Sequence, residues 1–92
     1  MHYLDHAATT PVPEAVADRM YEVLTGQFGN PSAQYPMGRE AASLVENCRA
    51  TIAAILRCKA NSLVFTSCGT ESNNWAIRSA LYHRSHAAHS IR

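Results

Sequence analysis

The sequence predicts an α/β fold that is incomplete in itself, with three helices, one short strand and too few strands to close a sheet. Three observations carry this. Two segments repeat apolar residues at helical steps, a third helical pattern starts directly behind a short β-rich run, and strand, small-residue turn and helix follow one another without a break.

The chain opens with Tyr3-Leu4-Asp5-His6-Ala7-Ala8-Thr9-Thr10, where small and polar residues after a short apolar start predict an extended segment entering a loop. Pro11 and Pro13 precede Val16, Met20, Val23 and Leu24 at helical spacing. Proline suits a helix's first turn because its missing N–H has no partner there anyway, so a helix is expected from about Pro13 to Thr25, with Gly26 just past its end. From Gly26 to Gly38 the turn formers Gly29, Asn30-Pro31, Ser32 and Pro36 are too dense for a regular element, and a long loop is expected. From about Arg39, the residues Ala41, Leu44, Val45, Cys48, Ile52, Ile55 and Leu56 draw one apolar stripe. Glu40, Glu46, Arg49 and Arg57 fall largely off it, which predicts a second helix ending at Leu56 or Arg57.

After a turn at Cys58–Ser62, Leu63-Val64-Phe65-Thr66 has the composition of a short buried strand. It leads through Ser67-Cys68-Gly69-Thr70 into a third helical pattern, with Glu71 in its first turn and Trp75, Ala76, Ala80 and Leu81 behind. The stretch from Tyr82 to Arg92 carries three histidines and no caps and is expected to be a solvated, frayed tail. Ser90-Ile91-Arg92 could begin another strand.

Composition narrows the function classes. The chain has 92 residues and a net charge of +1, without the basic excess that binding to a nucleic-acid backbone relies on. Fifteen of its 43 apolar residues are Ala, and Leu, Ile, Val and Phe together number 17, so large core-filling side chains are scarce. Burying one of them fully is worth roughly 1.5–3 kcal/mol, against a backbone ordering cost of about 1–2 kcal/mol per residue. This predicts a fragment of a larger fold. No apolar run is long enough for a membrane span and no secretory leader is written here, so no membrane role and a cytoplasmic setting are expected. Cys48, Cys58 and Cys68 are odd in number and form no C-x-x-C, which fits reduced thiols.

The candidate site is the turn at Thr66 to Asn74. Backbone N–H groups at a helix N-terminus lack intrahelical partners and the helix dipole favours an anion there, phosphate above all. Gly69 would let an oxygen approach the main chain, and the Thr70 hydroxyl could add a hydrogen bond. The local pattern equally fits an ordinary strand-to-helix turn with Thr70 as N-cap. The sharper nucleotide motifs are missing and the only lysine is Lys59, upstream of the strand. Cys68 beside the helix N-terminus invites a reactive thiolate, but no histidine lies close in sequence to act as its base. His83, His86 and His89 follow H-x2-H-x2-H, a metal pattern in which the third ring rotates away from the first by more than half a turn, so none is expected to hold a metal.

Four motifs, taken in order, are more specific. They are Tyr3-Leu4-Asp5-His6-Ala7-Ala8-Thr9-Thr10-Pro11, then Phe28-Gly29-Asn30-Pro31-Ser32, then Gly38-Arg39-Glu40-Ala41, then Val64-Phe65-Thr66-Ser67-Cys68-Gly69-Thr70-Glu71-Ser72-Asn73-Asn74-Trp75-Ala76-Ile77. Together they resemble the amino-terminal part of cysteine desulfurases, the NifS/IscS-like branch of the class V aminotransferases. The resemblance covers residues 2 to about 80 and implies a homodimeric pyridoxal phosphate enzyme of fold-type I. Such an enzyme removes sulfur from L-cysteine, leaving L-alanine and a persulfide that passes to an acceptor protein such as an iron–sulfur scaffold, or to thiolation.

The resemblance also divides the chain. Residues 1–12 would form a substrate-side extended segment, with His6 and Ala7 toward the substrate, and residues 13–92 would begin the large cofactor-binding domain. Gly69 and Thr70 would hold the cofactor phosphate through backbone N–H groups and the threonine hydroxyl, and the Gly29–Ser32 loop would lie near the entrance and dimer contacts. Members commonly carry a small residue before the Gly69 equivalent; this chain has Cys68, a departure that would bear on phosphate affinity. The Schiff-base lysine, the aspartate at the pyridinium nitrogen and the persulfide cysteine all lie further downstream in the family. No catalytic residue is therefore assigned here, and the 92-residue chain alone is expected to be inactive. The other readings are a non-catalytic interaction piece that docks onto a separate chain carrying the rest of the site, and a class V aminotransferase acting on another substrate.

Overall fold

The computed structural model describes residues 1–89. It contains three α-helices, α1 (Glu14–Gly26), α2 (Pro36–Leu56) and α3 (Gly69–His89), with a 3-10 turn at Ala60–Ser62 between the last two.

The element boundaries follow local chemistry. Pro13 is the N-cap of α1, its carbonyl accepting from the N–H groups of Val16 and Ala17 at 3.0 and 2.9 Å. Gly26 lies inside the helix, and the Gln27 N–H closes the last turn on Val23. Helix α2 starts three residues before Arg39, where its spacing places the start. Pro36 occupies the first turn with its φ already set for a helix, and the buried Gly38 continues it. The end falls where expected. Arg57 adopts the left-handed conformation at φ 55° and ψ 42°, and the N–H groups of Arg57 and Cys58 cap the Ala54 and Ala53 carbonyls at 3.2 and 3.0 Å.

Two expectations are corrected. Leu63–Thr66 forms no strand, and no strand occurs among the described residues. The segment is extended at its start, with Leu63 at φ −95° and ψ 127°. A strand, however, is a property of a pair, and among the described residues no second segment completes a ladder with it. Helix α3 starts two residues before Glu71 and continues through Tyr82 to His89 in place of a frayed tail. Tyr82 ties that part to the next turn: its ring stacks on His86 at 3.9 Å, and its carbonyl accepts from the Ser85 hydroxyl at 2.9 Å. Ser90-Ile91-Arg92, the suggested start of a strand, lies outside the described residues.

The helices do not close on a shared core. The radius of gyration is 18.5 Å, where a compact chain of this length has about 12 Å. The accessible surface is 8345 Å², where about 5,300 Å² is usual for this mass. Among the described residues, Ala41 and Ala53 are the only buried apolar side chains. The stripe residues Ile55 and Leu56 stay 75% and 62% exposed, and Met20 and Leu24 of α1 are likewise open. Between α1 and α2 runs an apolar cleft of about 600 Å³, lined in part by Met20, Val23, Leu24, Leu44, Val45 and Phe65. Among the helices and the 3-10 turn, only α2 and the turn pack against each other. Among the described residues no helix is long and apolar enough to cross a membrane.

Candidate functional site

Thr66 leaves the extended run and ties the coming turn together. Its hydroxyl donates to the Cys68 carbonyl at 3.2 Å and meets the Ser72 hydroxyl at 2.6 Å. The Ser72 N–H donates to the same Cys68 carbonyl at 3.2 Å, which makes Cys68 the residue from which α3 departs. Glu71 reaches back from the first turn and accepts from both the N–H and the hydroxyl of Ser67. Those two bonds hold its carboxyl below the ordinary carboxylate range, the hydroxyl contributing most. At the far side, the Asn74 amide donates to the Thr70 carbonyl at 2.9 Å.

This bracing leaves a donor set. The N–H groups of Gly69, Thr70 and Glu71 precede Ser72, the first intrahelical donor, so the helix supplies them no acceptor. The space above Gly69 is open: a Cβ built there would meet nothing within 4 Å, so no internal packing explains the glycine. The Thr70 side chain is exposed.

Cys68 shows what these donors favour. Its thiol is pushed below its ordinary value by the Glu71 N–H first, then the Ser67 hydroxyl and the Thr70 N–H, with a lesser help from the Thr70 hydroxyl and against an opposing effect of burial. The groups that stabilise a thiolate here are the groups that would hold a phosphate oxygen. The alkylation rate of Cys68 with iodoacetamide, followed by peptide mass spectrometry, is therefore expected to rise at a pH below the free thiol's value of about 8.5. A profile at or above that value would remove the thiolate from this donor set.

The two predicted cofactor residues, Gly69 and Thr70, thus stand together in one exposed first turn. The predicted substrate-side residues, His6 and Ala7, lie in a separate exposed turn. There the Ala8 N–H donates to the Asp5 carbonyl at 3.1 Å, and the Tyr3 hydroxyl bridges the Asp5 and Thr9 carbonyls at 2.9 and 2.8 Å. The His6 ring packs edge-on against Tyr3 and its Nδ1 meets the Thr10 hydroxyl at 3.1 Å. Among the described residues no hydrogen bond, ring contact or ion pair joins this turn to Gly69 or Thr70. Lys59 sits exposed in the bend before the 3-10 turn. Among the described residues no three His, Cys, Asp or Glu side chains gather to hold a metal. His86 instead stacks on Tyr82, and the side chain of His89 lies outside the described residues.

The roles of three residues go beyond what the sequence assigns them. Arg49, placed off the apolar stripe by its spacing, is only 21% exposed and reaches the extended segment before the turn. Ser67 braces the turn by donating both its N–H and its hydroxyl to the Glu71 carboxylate, and a hydroxyl four residues before an acid at a helix start is the signal that could have found the pair.

The first-turn N–H groups of α3, which lack intrahelical acceptors, follow directly on the extended run that ends at Thr66. The chain belongs to the class-V aminotransferase family, whose pattern matches residues 2–91. It is 40% identical over 88 residues to the selenocysteine lyase of Bos taurus, covering 94% of this chain and 20% of that protein. It is 44% identical over 80 residues to the cysteine desulfurase IscS of Dictyoglomus turgidum, covering 87% of this chain and 20% of the relative. To the IscS of Neisseria meningitidis serogroup C (strain 053442) it is 49% identical over 79 residues, covering 85% and 20%. The chain thus spans about a fifth of the length of the curated relatives it matches. No solved structure matches it.

Proposed function

We propose that the chain is the amino-terminal segment of a fold-type I, pyridoxal phosphate-dependent cysteine desulfurase. In this reading the complete enzyme removes sulfur from L-cysteine, leaves L-alanine and passes a persulfide to an acceptor such as an iron–sulfur scaffold. It works as a homodimer in the cytoplasm. The observation that carries it is the set of N–H groups of Gly69, Thr70 and Glu71, to which the helix supplies no acceptor, standing at the place where the fourth family motif lies.

The residues present fit the cofactor's phosphate. Three N–H groups and the Thr70 hydroxyl offer four donors to a dianion, while Glu71, the nearest acid, spends its carboxylate on Ser67. Gly69 and Thr70 would hold the phosphate. When bound, the cofactor supplies an electron sink for bond breaking at the substrate's α-carbon. His6 and Ala7 would face the substrate end from residues 1–12, and residues 13–92 would open the large domain. The Schiff-base lysine and the persulfide cysteine belong to the remaining four-fifths of the family's length.

In the protein that carries this segment, Thr70→Ala is expected to raise the cofactor's dissociation constant about 10- to 100-fold. A hydrogen bond to a charged group contributes roughly 1.5–3 kcal/mol. An unchanged constant, measured by equilibrium dialysis of pyridoxal phosphate, would remove Thr70 from the site. Assays with cysteine and selenocysteine side by side separate the substrates carried by the names of the relatives.

A second reading is favoured by the open apolar cleft between α1 and α2. In it the 92-residue chain docks onto a separate polypeptide that carries the rest of the enzyme. Intact mass in the natural source divides the two. A mass several times larger supports the first, whereas a mass near 10.1 kDa with co-purification of a pyridoxal-binding chain supports the second.

A further inference from the structure

The approach to the phosphate turn is fixed from one side chain on α2. Arg49 lies two turns before the end of that helix and makes three contacts at once. Its Nη1 donates to the Leu63 carbonyl, its Nε meets both Glu46 carboxylate oxygens at 3.2 Å, and its guanidinium lies 4.7 Å from the centre of the Phe65 ring. Leu63 also donates its N–H to the Ala60 carbonyl at 3.1 Å, and Ser62 donates to Lys59 at 3.0 Å, so the same residues close the 3-10 turn. The segment from Lys59 to Phe65 is thereby tied to α2 by one planar group in addition to the packing of the 3-10 turn. Only Thr66, Ser67 and Cys68 separate Phe65 from the first donor, Gly69.

From this we infer that Arg49 is a positioning residue for the phosphate site. It pins the carbonyl of Leu63 and the ring of Phe65 against α2, and so sets where Thr66 must turn and where the first N–H groups of α3 stand. The planar fork can meet all three partners together, since one edge takes the Leu63 carbonyl, the other takes Glu46, and the face lies over the ring. A lysine in its place keeps the charge but loses the fork. Arg49 touches neither Gly69 nor Thr70, so it acts through the segment and not on the ligand. The inference rests on the proposed phosphate-binding role of Gly69 and Thr70.

The test compares Arg49→Met, Arg49→Lys, Glu46→Gln and Thr70→Ala in the protein carrying this segment. Two quantities are read: the dissociation constant of pyridoxal 5'-phosphate, and amide exchange at Ser62 and Leu63 by NMR. Arg49→Met is expected to speed exchange at both amides and to weaken cofactor binding about tenfold. Arg49→Lys should recover part of both, and Glu46→Gln should leave both unchanged, because the contacts to Leu63 and Phe65 survive. Thr70→Ala should weaken binding without moving the exchange rates. If Arg49→Met binds the cofactor like the parent while Thr70→Ala does not, the inference is overturned and the phosphate site stands. If neither variant weakens binding, the phosphate site fails and the inference with it. Should Arg49→Met not fold, Phe65→Leu takes its place: faster exchange with weaker binding supports the positioning role, and parental values overturn it.

Discussion

Supplied with pyridoxal phosphate and L-cysteine, the purified 92-residue chain is expected to release neither alanine nor sulfide above a protein-free blank. The reason lies in the inventory of side chains. The reaction needs an amine to hold the cofactor and a group opposite its ring nitrogen. The only lysine, Lys59, is exposed in the bend after α2 and belongs to a different element from Gly69 and Thr70. The thiols offer no substitute for the persulfide carrier. Cys48 lies on α2, Cys58 in the bend that follows, and Cys68 under the donors that would take the phosphate. Alanine detected by mass spectrometry in stoichiometric excess over the chain would overturn this and require a lysine role for Lys59. Restoration of activity by adding the remaining part of a class V enzyme as a separate polypeptide would instead support the docking reading.

Gly38→Ala is expected to loosen the loop between α1 and α2, from Gln27 to Tyr35, although alanine normally improves a helix over glycine by about 0.5–1 kcal/mol. Gly38 is buried in the first turn of α2, and a methyl there would run into the Ala33 carbonyl oxygen, with the Ala33 carbonyl carbon and Cβ both at 2.7 Å. The obstacle is backbone, so no rotamer relieves it. Ala33 cannot simply retreat, because its N–H is bonded to the Asn30 carbonyl at 2.9 Å and Arg39 donates to the adjacent Gln34 carbonyl at 2.7 Å. The cost of such overpacking is about 1–3 kcal/mol, enough to reverse the helix gain. Gly26→Ala is the matched control, since nothing lies within 4 Å of a Cβ at that position. Limited proteolysis should show faster cleavage between Gln27 and Tyr35 in Gly38→Ala and none of that change in Gly26→Ala. Equal cleavage in both variants would show that the close approach of Gly38 to Ala33 does not hold the loop.

The loop also shows how far local chemistry can be read. Its turn formers announce a bend, and Asn30 makes one of the expected kind: its side chain accepts from the Ser32 N–H at 2.9 Å. What the spacing does not announce is that the bend returns onto the start of α2. There Gly29 faces the Met37 backbone, whose carbonyl carbon lies 2.9 Å from a Cβ built at Gly29, and Gly38 faces Ala33. Pro36 reads with the loop because it stands among glycines and prolines, whereas in the structure it opens the helix.

The sequence by itself determined what depends on neighbours along the chain. The helical steps of Val16 to Leu24 and of Ala41 to Leu56 marked α1 and α2, and the small residues before Glu71 marked the start of α3. The order of four motifs marked the family. Tertiary structure decided what depends on partners distant in sequence. Leu63–Thr66 has the composition of a strand yet forms none, because ladder hydrogen bonds need a second strand. Arg49 reads as a solvated charge on its own helix, and becomes a clamp only because Leu63, fourteen residues on, brings a carbonyl and the neighbouring Phe65 ring beneath it. The place of Cys68 beside a helix start already invites a thiolate in the sequence, whereas the Ser67 hydroxyl that meets its sulfur at 3.7 Å is set by the fold of the turn. Periodicity records which face of an element is apolar, whereas a contact is set by where two elements meet in space.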